Sequence, residues 1–342
     1  LRIGVVGAGF WTPYQIFGWN EVEGVEVVAI ANRTVPRAEA IARQFGIPSV
    51  FDDPAEMLDQ AGLDCLDVIS GLAGHPSAVH LAAQKRVPVI CQKPMATSFE
   101  EANAMVKACK EADVPFLVNE NWRYQAPIRE TAALLARGEI GEPFRARIQF
   151  SCSFPVFENQ PAMRDLPQFI LTDIGSHVLD VARFLFGDAK DLVCRTSRIA
   201  ENISGEDVAT VMMTMDRCPV VICEMSYASR LREEAFPETY LTIEGSKGSI
   251  ELAKGRHIYV TTQTGTTDTK VAPHFYPWAD PAYDLVHASI VDCNRALAAE
   301  LMGTGKAETT ADDNLRTVAL VFAGYRSAET GQRIEFGEWG AQ

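Results

Sequence analysis

No two cysteines in this 342-residue chain are spaced as CxxC or CxxH, and there is no HExxH run or close Asp/His cluster. Zinc ribbons, thioredoxin-like redox pairs and zincin chemistry therefore have no footing, and no metal is expected. The eight cysteines (65, 91, 109, 152, 194, 218, 223 and 293) mostly sit in apolar runs such as Val89-Ile90-Cys91 and read as reduced, small core residues. No apolar stretch reaches the roughly 18 residues that cross a bilayer. The chain begins on a strand pattern rather than a charged region, apolar region and cleavage site, so a cytoplasmic protein without a membrane partner is expected. Basic runs are missing too: 45 acidic residues against 31 basic ones give a charge of −14, which excludes counterion-release binding to nucleic acid. There is no phosphate-cradling lysine motif, no internal repeat and no low-complexity tract.

What is present is ordinary globular composition, 47% apolar and 22% charged, in a chain long enough for two hydrophobic cores. Residues 2–6 form a short apolar run ending at Gly7, and residues 25–31 form a second one a helix-length later. Further runs at 66–69, 87–91 and 115–118 alternate with helical periodicity over 36–45, 54–58, 77–84 and 99–112. Strand and helix in alternation at this spacing predict a doubly wound parallel sheet, the Rossmann arrangement, over residues 1–118.

After Asn119 the grammar changes. A helix over 127–137, a strand over 143–154, an irregular loop to 168 and a helix over 173–186 lead into consecutive period-two strands at 191–199, 207–215, 220–229, 238–244, 249–252 and 257–262. Helices over 283–302 and 311–330 precede a terminal strand at 332–336. Consecutive strands with few helices between them predict an α+β second domain, residues 119–342, with a largely antiparallel open sheet. Its exposed sheet face would suit pairing of subunits into a homodimer or homotetramer.

Gly7-Ala8-Gly9-Phe10-Trp11-Thr12 follows the first strand and opens a helix, where a dinucleotide fingerprint is expected. The first glycine permits a tight turn, and the second lets the backbone approach a pyrophosphate at the helix N-terminus. The third position, usually Gly or Ala, is Thr12. At the end of the second strand stands Asn32-Arg33-Thr34 in place of the carboxylate that binds the ribose in NAD enzymes. Asn32 can bond ribose hydroxyls while Arg33 and Thr34 could accept a 2′-phosphate, so NAD and NADP both stay open.

Cys91-Gln92-Lys93-Pro94 lies at the carboxyl end of a parallel strand, where open α/β sheets place ligands. Much later, Asp173, His177 and Asp180 follow i, i+4, i+7 spacing on a predicted helix and share one face. A hydroxyl must lose its proton as its carbon loses hydride, and imidazole titrates near the working pH.

These pieces together resemble the Gfo/Idh/MocA oxidoreductases. The likeness is carried by Gly7-Ala8-Gly9, His75, Lys93-Pro94, Asn121-Trp122-Arg123 and Asp173-x-Gly175-x-His177-x-x-Asp180, in order across nearly the whole chain. It implies NAD(P)-dependent oxidation of a sugar or polyol hydroxyl, with Lys93, Asp173 and His177 as the catalytic set and His177 as proton acceptor. Lys93 would supply positive charge where alkoxide character develops. Gly7, Gly9, Phe10, Trp11, Thr12, Asn32, Arg33, Thr34, Ser70, His75, Gln92 and Lys93 would hold the cofactor. The chain departs from the family in carrying Gln92 where glutamate is usual and Ser70-Gly71-Leu72-Ala73-Gly74 where many members carry Thr-Pro-Asn.

For the substrate, Asn121, Trp122 and Arg123 after the last parallel strand combine donors, acceptors and an aromatic face, as sugar sites do. Arg164, in the loop before the catalytic helix, joins Asp173 and His177 as a further expected contact. Gly9-Phe10-Trp11, Cys91–Ala96 and Glu120–Arg123 are similar to the D-apiose dehydrogenase subgroup, which implies a branched furanose oxidised to its lactone. Two rival classes remain: a glycoside hydrolase that uses NAD transiently, and a non-catalytic regulator that keeps the dinucleotide fold as a sensor of dinucleotide or sugar.

Overall fold

The computed structural model describes residues 1–337 and divides into two compact units. Unit 1 comprises residues 1–121, 276–280 and 290–318; unit 2 comprises residues 122–275, 281–289 and, among the described residues, 319–337. The expected cut at 118/119 lies close to the first of these boundaries, but the expected division does not contain the later returns of the chain to unit 1. Those returns rest on packing between residues remote in sequence. Gly18 makes room for Ile290 and Asn294, and Thr310 bridges to Leu117.

Unit 1 alternates strand and helix: β1 (Arg2–Val6), α1 (Thr12–Asn20), β2 (Glu26–Ala31), α2 (Val35–Phe45), β3 (Ser49–Phe51), α3 (Pro54–Gln60), β4 (Cys65–Val68), α4 (His75–Lys85), β5 (Val89–Gln92), α5 (Phe99–Glu111) and β6 (Phe116–Asn119). All six strands are parallel, in the order β3-β2-β1-β4-β5-β6. Residues 65–68, 89–92 and 116–119 are buried along their whole length, as strands covered by helices on both faces must be. Side-chain caps set two of the helix starts: Asp53 accepts from Ala55 N, and Ser98 accepts from Glu101 N. The sheet order reverses between β1 and β4, which puts the turns after those two strands at the switch point of the fold.

Unit 2 holds α6 (Ala126–Ala136), β7 (Pro143–Ser151), a short α7 (Val156–Asn159), α8 (Ser176–Phe186), β8 (Ala189–Ser197), β9 (Val208–Met215), β10 (Cys218–Ser226), β11 (Tyr240–Gly245), β12 (Gly248–Ala253), β13 (His257–Thr262) and β14 (Gly265–Lys270). Helices α9 (Asp284–Leu301) and α10 (Ala311–Thr330) and the terminal β15 (Ile334–Glu335) complete the described chain. The nine-stranded sheet runs β14-β13-β12-β11-β7-β10-β9-β8-β15. Every pair is antiparallel except β7 with β10, which is parallel. One face is apolar, with Ala146, Ile148 and Phe150 of β7 and Val221, Cys223 and Met225 of β10 buried. Helix α8 is buried on nearly every side.

Two local expectations need correction. The helix expected from Asp173 begins as a π-helical turn, Leu171–Gly175, and becomes α-helical only from Ser176. A π turn carries an extra residue, so strict i, i+4 stacking of Asp173 under His177 does not hold. Gly175 stands at the N-cap of that helix, without a side-chain cap. The supposedly irregular loop before it contains α7 and a 3₁₀ turn, Pro161–Asp165. All eight cysteines are free and buried.

Candidate active site

In unit 1 the turn after β1 is shaped by two glycines for different reasons. Gly7 has φ +115°, and a Cβ there would stand 2.7 Å from Ser70 N, so the fold itself demands glycine. A Cβ on Gly9 would meet nothing within 4 Å. No neighbour within the chain requires glycine at position 9, which fits a position left open for a ligand's close approach. Thr12, fully buried, knits the turn together: its Oγ1 accepts from Gly9 N at 3.1 Å and donates to Gly7 O at 3.2 Å. The unusual third fingerprint residue therefore closes the loop through its hydroxyl.

Two buried donors have no hydrogen-bond acceptor, Trp11 Nε1 in the turn after β1 and Gln92 Nε2 at the end of β5. Orphaned N–H groups at the carboxyl ends of parallel strands suit the phosphate and amide oxygens of a dinucleotide, so the residues present fit that cofactor. Phe10 is half exposed and meets the Tyr14 ring edge-on. Asn32 donates from Nδ2 to Thr34 O at 3.0 Å, and Arg33 and Thr34 are exposed.

His75 is buried, with Nε2 3.0 Å from Ser70 O and Nδ1 3.1 Å from Pro94 O. Burial pushes its pKa down, against the pull of those carbonyls toward the charged ring. The imidazole thus joins the Ser70 turn to the loop carrying Lys93, whose peptide bond to Pro94 is cis. Among the cofactor contacts expected from the sequence, His75 acts on the loops themselves.

In unit 2 Asn121's neighbour Trp122 and the next residue, Arg123, meet His177 and Asp180 in a buried cluster, while half-buried Asp173 sits in the turn that leads into the helix carrying His177 and Asp180. Residues Trp122–Tyr124 form a 3₁₀ turn. The Trp122 indole stacks on the His177 ring, centroids 4.3 Å apart and planes 23° from parallel. Arg123 forks onto Asp180, Nε to Oδ2 at 2.7 Å and Nη2 to Oδ1 at 2.6 Å, with both side chains almost wholly buried. This bidentate pair ties Arg123 to the helix and gives Asp180 a holding role. Asn121 itself is buried at the end of unit 1, after β6. Arg164 lies over the Phe157 ring, 4.7 Å from its centroid, within the loop where it was expected.

Sequence reasoning missed Tyr227 and Thr239. Tyr227 donates from its hydroxyl to Asp173 Oδ2 at 3.0 Å. Its pKa lies well above the usual phenol range, first because it is buried and next because the Asp173 charge is beside it. A tyrosine that stays protonated is a dependable donor, and it holds the Asp173 carboxylate in place. Thr239 accepts from Trp122 Nε1 at 2.9 Å. Both sat in segments flagged only as strand, and no spacing rule links residues 54 or 117 positions apart. Among the described residues, no group of three or more His, Cys, Asp or Glu is arranged to hold a metal, and no helix is long and apolar enough to cross a membrane.

A glycine-turn parallel sheet with orphaned donors, together with a buried histidine and a tyrosine-held carboxylate, defines a dinucleotide-dependent oxidoreductase. Residues 1–120 match the oxidoreductase family described as an NAD-binding Rossmann fold, and residues 128–251 match the GFO/IDH/MocA C-terminal domain. The chain belongs to the Gfo/Idh/MocA family, as an NAD- or NADP-dependent oxidoreductase of sugar or polyol hydroxyls. It is 38% identical to a D-apiose dehydrogenase of Rhizobium rhizogenes, over 98% of each chain. It is also 38% identical to one of Paraburkholderia graminis, over 97% of this chain and 88% of the other. A crystal structure of an oxidoreductase from Agrobacterium radiobacter in complex with NAD+, L-tartaric acid and magnesium superposes with a TM-score of 0.96, at 38% identity over 98% of each chain.

Proposed function

We propose that this chain is a D-apiose dehydrogenase, oxidising the anomeric hydroxyl of that branched furanose to a lactone with NAD as the preferred acceptor. The observation that carries the substrate is likeness over essentially the whole length to the two D-apiose dehydrogenases, through both units. The oxidation breaks the anomeric C–H and O–H bonds and forms the lactone C=O, releasing one hydride and one proton. The nicotinamide, when bound, supplies the hydride acceptor.

The chain's own groups handle the rest. His177 takes the hydroxyl proton, and Asp173, steadied by Tyr227, orients the sugar or the base. Lys93 supplies a fixed positive charge for the developing alkoxide. Trp11 Nε1 and Gln92 Nε2 give their free N–H groups to the dinucleotide. Asn32 keeps its Oδ1 as an acceptor for ribose hydroxyls, while exposed Arg33 leaves NADP usable at lower affinity. Assembly as a homodimer or homotetramer belongs to the same reading and is measured by sedimentation.

Replacing His177 by Ala lowers turnover by about 10²–10⁴-fold, with cofactor affinity nearly unchanged. Lys93→Met does comparable damage, and the double variant is little worse than either single one. Losses that multiply, or wild-type turnover in His177→Ala, overturn the assignment of roles.

A further inference from the structure

A base can take a proton only if its ring nitrogen points at the hydroxyl, and the second side-chain torsion of histidine is broad and roughly two-fold. Something must hold the plane of the His177 ring. In the cluster described above, the Trp122 indole stacks on it at 4.3 Å and 23°.

That indole is itself fixed on two further sides. Its N–H donates to Thr239 Oγ1 at 2.9 Å, and its ring meets Phe150 edge-on, at 6.1 Å and 68°. Trp122 and Thr239 are both buried, so water does not compete for the bond between them. The next residue, Arg123, grips Asp180, three positions beyond His177 on α8 and on the same side of it. Two consecutive residues of one 3₁₀ turn thus hold the same helix, one through its backbone position and the other through the plane of its histidine.

We propose that Trp122 is a positioning residue for His177, with Thr239 locking the indole, rather than a contact for the sugar. The proposal rests on His177 being the proton acceptor. The polar edge of the indole is spent on Thr239, one of its faces on the imidazole, and with Trp122 only 4% exposed the other face is closed to solvent as well. A sugar-binding tryptophan instead keeps a face open for the ring hydrogens of its ligand. Phenylalanine keeps a flat face for the imidazole and leucine does not, so the two substitutions separate stacking from mere volume.

The test compares Trp122→Phe, Trp122→Leu, Thr239→Val and His177→Ala in the full chain, with NAD and D-apiose or whichever aldose gives turnover. Trp122→Leu is expected to lower kcat by about 10–100-fold, the scale of losing orientation at a reacting centre. KM for the sugar and Kd for NADH stay within about two-fold, as they do when an interaction of the transition state alone is lost. Trp122→Phe recovers most of that loss, and Thr239→Val falls between the two. With sugar deuterated at the oxidised carbon, the isotope effect on kcat rises in Trp122→Leu, because chemistry has become limiting.

If Trp122→Leu raises KM at unchanged kcat, Trp122 is a sugar contact and the proposal is overturned. Unchanged kcat and KM in Trp122→Leu also overturn it, as does Trp122→Phe no better than leucine. Should Trp122→Leu fail to fold, Thr239→Val decides: lower kcat at constant KM supports the proposal, and wild-type kinetics contradict it. Wild-type turnover in His177→Ala would instead remove the proton-acceptor reading, separately from the behaviour of Trp122.

Discussion

Asp67 lies in the middle of β4, fully buried between Val5 of β1 and Ile90 of β5. Its Oδ2 accepts from Trp19 Nε1 at 2.7 Å, while its Oδ1 has no hydrogen-bond partner. Burial pushes its pKa up from 3.8 to about 7, against the opposing hydrogen bond from Trp19. The folded state therefore holds a proton that the unfolded chain gives up at lower pH. Between 3.8 and about 7 the folded form binds one more proton than the unfolded form, so stability falls as pH rises through that window and is flat above it. Each pH unit costs about 1.4 kcal/mol, and the roughly three units between the two values amount to about 4 kcal/mol.

Asp67→Asn keeps an acceptor for Trp19 and supplies an N–H where the neutral carboxyl carries its proton, so the variant escapes this cost. Urea unfolding of wild type and variant at pH 5, 6, 7 and 8 measures the difference. The variant's advantage should grow by about 1.4 kcal/mol per unit from pH 5 to 7 and then level off. A difference that does not change with pH would refute the reasoning, because it would mean that Asp67 titrates alike in the folded and unfolded chains.

Asp180→Asn leaves the Arg123 guanidinium buried beside a neutral partner and should cost about 3–5 kcal/mol by urea unfolding. Replacing both, as Arg123→Met with Asp180→Leu, should recover a large part of it; a single variant costing under about 1 kcal/mol would show the pair to be solvated. Gly9→Val should melt within about 2 °C of wild type, because the added Cβ enters open space. NADH affinity should nonetheless fall about 10–100-fold in a fluorescence titration, the scale of an overpacked contact. Retained affinity would mean that no ligand approaches that turn.

The alternation of unit 1 was legible because each strand is an apolar run and each helix a periodic one. β3 escaped notice: three half-buried residues show no period. β14, Gly-Thr-Thr-Asp-Thr-Lys, is exposed throughout and has no apolar face to betray it. The glycine turn could be read from its place after the first strand, but not the role of Thr12, which depends on a hydroxyl turning back onto Gly7 and Gly9. In unit 2 the motif Asp173-x-Gly175-x-His177 was visible, while the π turn that carries Asp173 was not, since helical periodicity assumes 3.6 residues per turn. Arg123 and Trp122 were noticed as polar and aromatic. Their partners lie 55 to 117 residues away along the chain, and such pairings arise only from the tertiary fold.

Oxidation of a free sugar by the dinucleotide is the centre of this account, and it is measured most directly by following NADH at 340 nm while D-apiose is consumed by the purified chain. One NADH per sugar oxidised, with the lactone as product, is the expected result. A glycoside cleaved steadily with no net NADH would make the chain a hydrolase. Saturable NADH binding with no turnover of any aldose or polyol would make it a sensor, and either result would contradict the dehydrogenase assignment.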